Sequence, residues 1–239
     1  SNLLYCSGGK LELPKCSFHV LRFDFKPNGT PTPVLEKYDH QIIVRDLDTH
    51  ESIHIPSKRA FEPHKTLGHF KSPYAKPITA LQKIQEKADR LALLISTSPL
   101  DRSGAYLAYQ TVYNPTIRYT LPQSFFSSRD LQRAQASSLS KIIAKSGYNR
   151  NIARAIAFAP MNCAGGGFLP WYLLQGEGQI SQFLKHWRTE TIISRTLRVA
   201  MSWAQWQAGI HRSILEDTAT DIPYLECRWI TSLRSFLNA

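Results

Sequence analysis

The most chemically suggestive stretch of the sequence is a run of cations between residues 129 and 154. It carries six Lys and Arg side chains but a single acid, Asp130. The six cations are Arg129, Arg133, Lys141, Lys145, Arg150 and Arg154. On a helical wheel the first four fall within roughly 160° of one another. A cationic face without interspersed Glu is suited to contacting backbone phosphates, and the alternative is an ordinary solvated surface.

A single amphipathic helix is predicted to position the first four cations. Ser127-Ser128-Arg129-Asp130 has the spacing of a capping box, and the helix it opens runs to Gly147. Its apolar residues cluster on the side of the wheel opposite the cations: Leu131, Leu139, Ile142 and Ile143. One face is therefore expected to join a core while the other meets anions.

A second candidate for phosphate binding is the glycine-rich stretch Ala164-Gly165-Gly166-Gly167-Phe168-Leu169-Pro170, which precedes a predicted helix. Backbone N–H groups of Gly165 and Gly166 could face a phosphate at such a helix start. The spacing matches neither a dinucleotide-binding fingerprint nor a P-loop. The alternative is a tight turn that lets two helices pack closely, and the spacing alone favours it.

The heptad Lys65-Thr66-Leu67-Gly68-His69-Phe70-Lys71 joins two kinds of pattern. Before it, short alternating segments predict strands. Phe23 and Phe25 form one face of a half-buried strand that ends at a turn over residues 26–29, in a Pro- and Gly-rich stretch resembling a linker. Residues 41–48 and 51–55 predict an antiparallel pair.

After the heptad the apolar period becomes helical. A helix is predicted over residues 78–95. A second helix restarts at Ser98 and is expected to break or kink at Asn114-Pro115. Helices are also expected at about 171–188, 190–209 and 223–237, with five tryptophans supplying buried area. Tyr106, Tyr109 and Tyr113 favour core packing over a platform for stacking bases. The predicted fold class is α+β, mostly α, with a small antiparallel β-meander followed by a multi-helix region.

Charge and cysteine usage narrow the classes of function. Residues 76–160 carry 12 Lys and Arg against 4 Asp and Glu, which is where the chain's net charge of +11 is concentrated. This distribution predicts a polyanionic partner. The four cysteines include no C-x-x-C pair, and no secretory signal or membrane-spanning run is present, so an intracellular setting, nuclear or cytoplasmic, is expected. The absence of an initiator Met suggests a segment of a longer protein.

Three stretches together resemble the reverse transcriptases of retrotransposons, most closely the non-LTR type. Ser7-Gly8-Gly9-Lys10-Leu11-Glu12-Leu13-Pro14-Lys15-Cys16 is similar to the family's fourth palm motif. Lys65-Thr66-Leu67-Gly68 matches the Leu-Gly turn called the primer grip. Ala164 to Pro170 resembles the Gly-Gly-x-x-Leu-Pro element that ends the thumb region. The order and intervals of these stretches extend the resemblance over about residues 3–190.

The resemblance implies that residues 1–75 are the end of a polymerase palm, residues 76–160 a basic helical thumb and residues 161–239 a C-terminal helical extension. The thumb would grip an RNA/DNA template–primer duplex, with Lys65 and Lys71 beside the primer grip. Leu67 and Gly68 would place the primer's 3′ end. Lys15 would protonate the pyrophosphate leaving group, the alternative being a solvated turn residue.

One departure from the family bears on activity. Polymerases of this class hold two metal ions on palm aspartates, one of them in a Tyr-x-Asp-Asp turn, and this sequence contains no such turn. The chain is therefore expected to be inactive alone and to need no cofactor, with Mg²⁺ expected only in the full polymerase. The alternatives are a non-enzymatic helical RNA- or DNA-binding or scaffold protein derived from a retroelement, and a peripheral membrane-binding domain. The latter is disfavoured because the apolar helix faces are expected to join a core, so no membrane partner is predicted.

Overall fold

The computed structural model confirms the predicted class, α+β and mostly α. It describes residues 16–29, 31–34, 36, 41–45, 50–66, 69–71, 78–222, 224–225 and 227–239. Lys15, Leu67 and Gly68 lie outside these residues. The chain divides into two compact units, Ser1–Ala80 and Leu81–Ala239.

The first unit contains short strands that associate in pairs. They are β1 (Phe18–His19), β2 (Phe23–Phe25), β3 (Pro31–Pro33), β4 (Ile42–Arg45), β5 (Ser52–Ile55), β6 (Ser57–Lys58), β7 (His64–Thr66) and β8 (His69–Lys71). Three pairs are antiparallel, namely β2 with β3, β4 with β5 and β7 with β8, whereas β1 and β6 run parallel. The predicted pairing of residues 41–48 with 51–55 is confirmed by β4 and β5, in which Ile42 lies opposite Ile55.

The prediction that Phe23 and Phe25 form a half-buried face was wrong. Their side chains are 49% and 71% exposed. In the described part of the unit β2 pairs only with β3, which places Pro33 opposite Phe23 and Pro31 opposite Phe25. A two-stranded ribbon provides no second layer to cover an apolar face. The expected linker is instead the turn and return strand of this ribbon, closed by the Gly29 N–H donating to the Lys26 carbonyl at 2.8 Å.

The second unit is helical. Its elements are α1 (Ile78–Thr97, which begins in the first unit), α2 (Arg102–Ala108), a π-helical turn (Tyr109–Tyr113), α3 (Asn114–Arg118), a 3₁₀ turn (Leu121–Gln123), α4 (Ser128–Lys145), α5 (Arg154–Phe158), a 3₁₀ turn (Met161–Cys163), α6 (Trp171–Trp187), α7 (Ile192–Ala208) and α8 (Arg228–Leu237). The long predicted helices are thus present with ends shifted by a few residues.

Two details of the predicted helix at residue 98 needed correction. Its N-cap is Asp101, whose carboxylate accepts the Gly104 N–H at 2.7 Å, because the Ser98 N–H still donates to Leu94 at the end of α1. The backbone also stays helical through Asn114-Pro115. The π-helical turn provides for this, with the Asn114 N–H donating to the Tyr109 carbonyl five residues earlier.

Helix α6 lies at the centre of the second unit and packs against α4, α7 and α8. Two of its glycines allow close approach: a side chain at Gly176 would collide with the ring of Phe236, and one at Gly178 with Pro122. The predicted boundary between residues 160 and 161 therefore falls inside one compact unit, since helices on both sides of it share a core.

Candidate nucleic-acid interface

Helix α4 has well-formed ends and a fixed orientation. At its start the Ser127 hydroxyl accepts the Asp130 N–H at 3.1 Å and donates to the Asp130 carboxylate at 2.6 Å. At its end Gly147 adopts a φ of 89°, and its N–H and that of Tyr148 satisfy carbonyls of the last turn. The four predicted core residues of the helix are fully buried, with at most 1% of each exposed. The predicted extent and inner face of this helix are confirmed.

Burial of the apolar side turns the predicted cations away from the core. Arg129 and Arg133 are exposed in the first two turns of α4, and Lys141 and Lys145 are half-buried in the last two. None of the four forms an ion pair with any residue that the structure describes. The one acid of the helix, Asp130, is hydrogen-bonded to its capping serine. The cationic charge of this face is therefore left for a partner.

Three of the predicted cations converge on one depression, which we call the cation groove. Lys141, Lys145 and Arg150 line a space of about 350 Å³ together with residues from the end of α1 and the outer side of α4. Those neighbours are Ser96, Ser140 and Ala144. The groove therefore brings three of the predicted cations to one cavity.

Lys145 also has a structural role in the cation groove. Its ammonium donates to the Ser98 carbonyl at 2.8 Å, which ties the last turn of α4 to the chain just beyond α1. The C-terminus of a helix carries partial negative charge, so a cation is favoured there without neutralisation by an acid. An ammonium has three protons, and two therefore stay free to meet an anion.

The serine hydroxyls of the groove are already used as donors. Ser96 donates to the Leu93 carbonyl at 2.9 Å and Ser140 to the Ser137 carbonyl at 2.8 Å. A hydroxyl has one proton, so these groups cannot donate to an incoming phosphate while those bonds persist. Any anion in the groove would be held by the two ammonium groups and the guanidinium.

Arg154, the last of the six predicted cations, is placed differently. It begins the short helix α5 and is half-buried, and its Nη1 atom is enclosed without a hydrogen-bond partner among the described residues. It is not one of the side chains that line the cation groove. Its assignment to phosphate contact is not supported by this position.

The assignment of Gly165 and Gly166 to phosphate binding was wrong. The Gly165 N–H donates to the Pro160 carbonyl at 3.0 Å and the Gly166 N–H to the Ile156 carbonyl at 2.9 Å, so neither can be offered to a ligand. Both glycines are buried, and a side chain at Gly165 would collide with the Ala159 carbonyl. The alternative interpretation, a turn that permits close packing, is confirmed.

Buried polar groups that the sequence reasoning missed hold the chain just after these glycines. The Gln135 amide donates to the Leu169 carbonyl at 2.8 Å and accepts the Trp171 N–H at 3.0 Å. The Leu169 N–H donates to the Tyr109 hydroxyl at 2.7 Å. A signal for Gln135 was present, because on the helical wheel it lies between Leu131 and Leu139 in the middle of the apolar face.

The tyrosine row serves packing, as the sequence favoured. Tyr109 and Tyr113 are fully buried, and the Tyr113 hydroxyl lies 2.6 Å from that of Ser138. Burial raises the pKa of Tyr109 to about 12, and it also raises the pKa of Tyr113. Tyr106 packs edge-on against Phe168 and donates to the Gly167 carbonyl at 3.2 Å. The enclosed rings of Tyr109 and Tyr113 cannot stack on bases.

The predicted site residues of the first unit are described only in part. Lys65 is an exposed residue of β7 opposite Phe70, and Lys71 is the last residue of β8, opposite His64. Lys15, Leu67 and Gly68 lie outside the described residues, so their roles stay predictions. Across the described ranges no three His, Cys, Asp or Glu side chains are grouped to hold a metal ion. Among the helices described, none has the length and apolar character needed to cross a bilayer.

Comparison of this chain with protein-family models, with curated proteins and with solved structures gives no match.

Proposed function

We propose that the helical unit binds the sugar–phosphate backbone of a nucleic-acid duplex, as the thumb of a retroelement reverse transcriptase does. The chain would be the C-terminal palm and thumb portion of an RNA-directed DNA polymerase. The observation that carries the proposal is the convergence of Lys141, Lys145 and Arg150 on one groove. The face of α4 that carries the two lysines continues to Arg133. The assignment to a reverse transcriptase in particular rests on the three sequence stretches that resemble motifs of that family.

The dimensions of the cationic face suit a nucleic-acid strand. Arg133 and Lys145 are twelve residues apart in α4, which corresponds to about 18 Å along the helix axis. One strand of a duplex carries a phosphate about every 3.4 Å along its axis, so this length spans roughly five phosphates. Lys and Arg side chains at such positions fix the register of a duplex without reading bases.

Catalysis is not assigned to this chain. The Tyr-x-Asp-Asp turn on which the family holds its metal ions does not occur in this sequence. We therefore derive no step through Mg²⁺. Measurable primer extension by the purified 239-residue chain with Mg²⁺ would contradict this part of the proposal.

The binding test is the salt dependence of affinity for a labelled RNA/DNA primer–template, measured by fluorescence anisotropy. Four phosphate contacts predict that log K falls against log salt with a slope of about −3 to −4. Replacement of Arg133, Lys141, Lys145 and Arg150 by Gln should flatten the slope markedly. An unchanged slope would remove the assignment of the groove.

Two further variants separate a specific loss from a general one. The control replaces four exposed cations of the same types elsewhere in the unit, Lys87, Lys185, Arg188 and Arg212, and should keep most of the slope. A triple variant of Arg133, Lys141 and Arg150 keeps the Lys145 bond to Ser98 and so protects the fold. The triple variant should show about three quarters of the flattening seen for the quadruple variant, and an equal flattening in the control would indicate a non-specific charge effect.

A further inference from the structure

Helix α7 exposes an apolar face that the sequence reasoning had assigned to the core. Its side chains Ile192, Val199, Trp203 and Trp206 are 82%, 69%, 54% and 71% exposed. The helix is well formed, with Thr191 capping its start and Gly209, at a φ of 63°, ending it. The exposure therefore belongs to a regular helix surface and not to a frayed end.

These residues lie on one seam, which we call the α7 seam. Its members are Ile192, Thr196, Val199, Trp203 and Trp206. The spacings alternate between four and three residues, which keeps every member on one side of the helix and matches the spacing by which one helix packs along another. The rings of Trp203 and Trp206 are neighbours in this seam, with centroids 4.9 Å apart.

The seam cannot be buried by rotating the helix. The opposite side of α7 is already in the core, where Met201, Ala204 and Ala208 pack with Ile214 and Ile230. Two tryptophans of about 250 Å² each, at their observed exposures, leave about 300 Å² of aromatic surface open. That area alone reaches the size of the largest apolar patch on a typical monomer, and such patches mark interaction sites.

Charge beside the seam indicates the character of its partner. Arg195 and Arg198 are exposed on one flank, and α7 contains no acidic residue. The Arg198 guanidinium is held in place, since it donates to the Trp187 carbonyl at 3.1 Å and lies 5.4 Å from the centroid of that ring. A second copy of this chain would bring like charges together, whereas an acidic flank would complement them.

We propose that the α7 seam binds an amphipathic helix whose apolar residues follow the same spacing and whose flank is acidic. A partner helix makes use of the alternating spacing and of one polar position, Thr196, within the seam. A lipid surface requires neither of these features, so the observations favour a helix. This proposal is independent of duplex binding, because it uses a different helix and different residues.

The test uses the whole chain and two synthetic helical peptides of about three heptads, with Leu at the seam positions and either Glu or Lys at the flanks. Binding is followed by anisotropy of the labelled peptide. The Glu-flanked peptide should bind and the Lys-flanked peptide should bind at least about tenfold more weakly. Trp203→Ala with Trp206→Ala should weaken binding at least about tenfold. Arg195→Gln with Arg198→Gln should abolish the preference between the peptides.

The matched control is Leu107→Ala with Val112→Ala, which changes two exposed apolar residues elsewhere in the unit. This variant should bind the Glu-flanked peptide like the unchanged chain. Four outcomes would overturn the proposal: equal binding of the two peptides, no binding of either, self-association of the chain that the tryptophan variant abolishes, or binding to vesicles of phosphatidylcholine and phosphatidylserine in place of the acidic peptide. Circular dichroism of each variant verifies the fold.

Discussion

The buried hydroxyl of Tyr109 should make the helical unit sensitive to alkali. Tyr109 is fully buried, and desolvation raises its pKa from about 10 to about 12, in spite of the bond it accepts from the Leu169 N–H. A raised pKa means that the folded state favours the neutral phenol. The stabilisation that the neutral Tyr109 phenol contributes to the folded state is fully present below pH 10 and is lost as the pH rises from 10 to 12.

The magnitude follows from the two pKa values. At pH 11 the unfolded phenol is mostly ionised while the folded one is mostly neutral, so Tyr109 lowers the free energy of unfolding by about 1.4 kcal/mol relative to pH 8. The Tyr109→Phe variant does not lose this free energy of unfolding, because phenylalanine has no hydroxyl to ionise. At pH 8 the same substitution costs about 1–3 kcal/mol, because the buried Leu169 N–H loses its acceptor. The stability gap between the two proteins should therefore narrow by about 1.4 kcal/mol between pH 8 and pH 11.

Urea unfolding followed by circular dichroism at pH 8, 9, 10 and 11 measures the gap. The gap between pH 8 and pH 9 is the internal control and should be nearly constant, because the Tyr109 phenol is neutral in both the folded and the unfolded state there. A gap for Tyr109→Phe that stays constant or widens would refute the reasoning. A constant gap would mean that the phenol ionises at the same pH in the folded and unfolded states, and a widening gap would mean that it ionises at a lower pH in the folded state.

Two further substitutions test the packing around the glycine-rich turn at residues 165–171. Gly165→Ala should lower the melting temperature more than Gly209→Ala does, because a Cβ at Gly165 collides with the Ala159 carbonyl. Gly209 has open space around it, so an alanine there carries only the strain of its positive φ. Equal losses in calorimetry would contradict the packing role. Gln135→Met should cost about 2–4 kcal/mol in urea unfolding, since the buried Leu169 carbonyl and Trp171 N–H both lose partners; a cost below about 1 kcal/mol would show that neither bond matters.

Local signals predicted the helices well. Helix α4 was bounded correctly because a capping serine, a left-handed glycine and a period of 3.6 residues all act within the helix itself. The start at Ser98 failed because two cap candidates stand three residues apart, and the choice between Ser98 and Asp101 depends on where α1 ends. The pairing of β4 with β5 could also be predicted from nearby residues, because a short connection between two strands fixes their antiparallel pairing.

The cation groove was predictable only in part. Helical spacing placed Lys141 and Lys145 on one face, but Arg150 joins them through the turn at Gly147, and Ser96 comes from a different helix. Contacts between distant segments follow from packing and leave no trace in the period of either segment. The glycine stretch shows the same limit. Its composition fits both a phosphate site and a tight turn, and only the observed N–H partners distinguish them.

The tryptophan-rich tail shows why hydrophobicity alone gave the wrong orientation for α7. A ranking by size would bury Trp203 and Trp206, yet the buried side of the helix carries Ser194, Met201, Ala204 and Ala208, and three of these four residues are small. Small residues let α7 approach its neighbours closely, and close packing recovers dispersion energy along the whole helix. Large rings in the same place would hold the helices apart. The tryptophans are therefore left outside by the geometry of packing, and their hydrophobic free energy is available to a partner that can cover them.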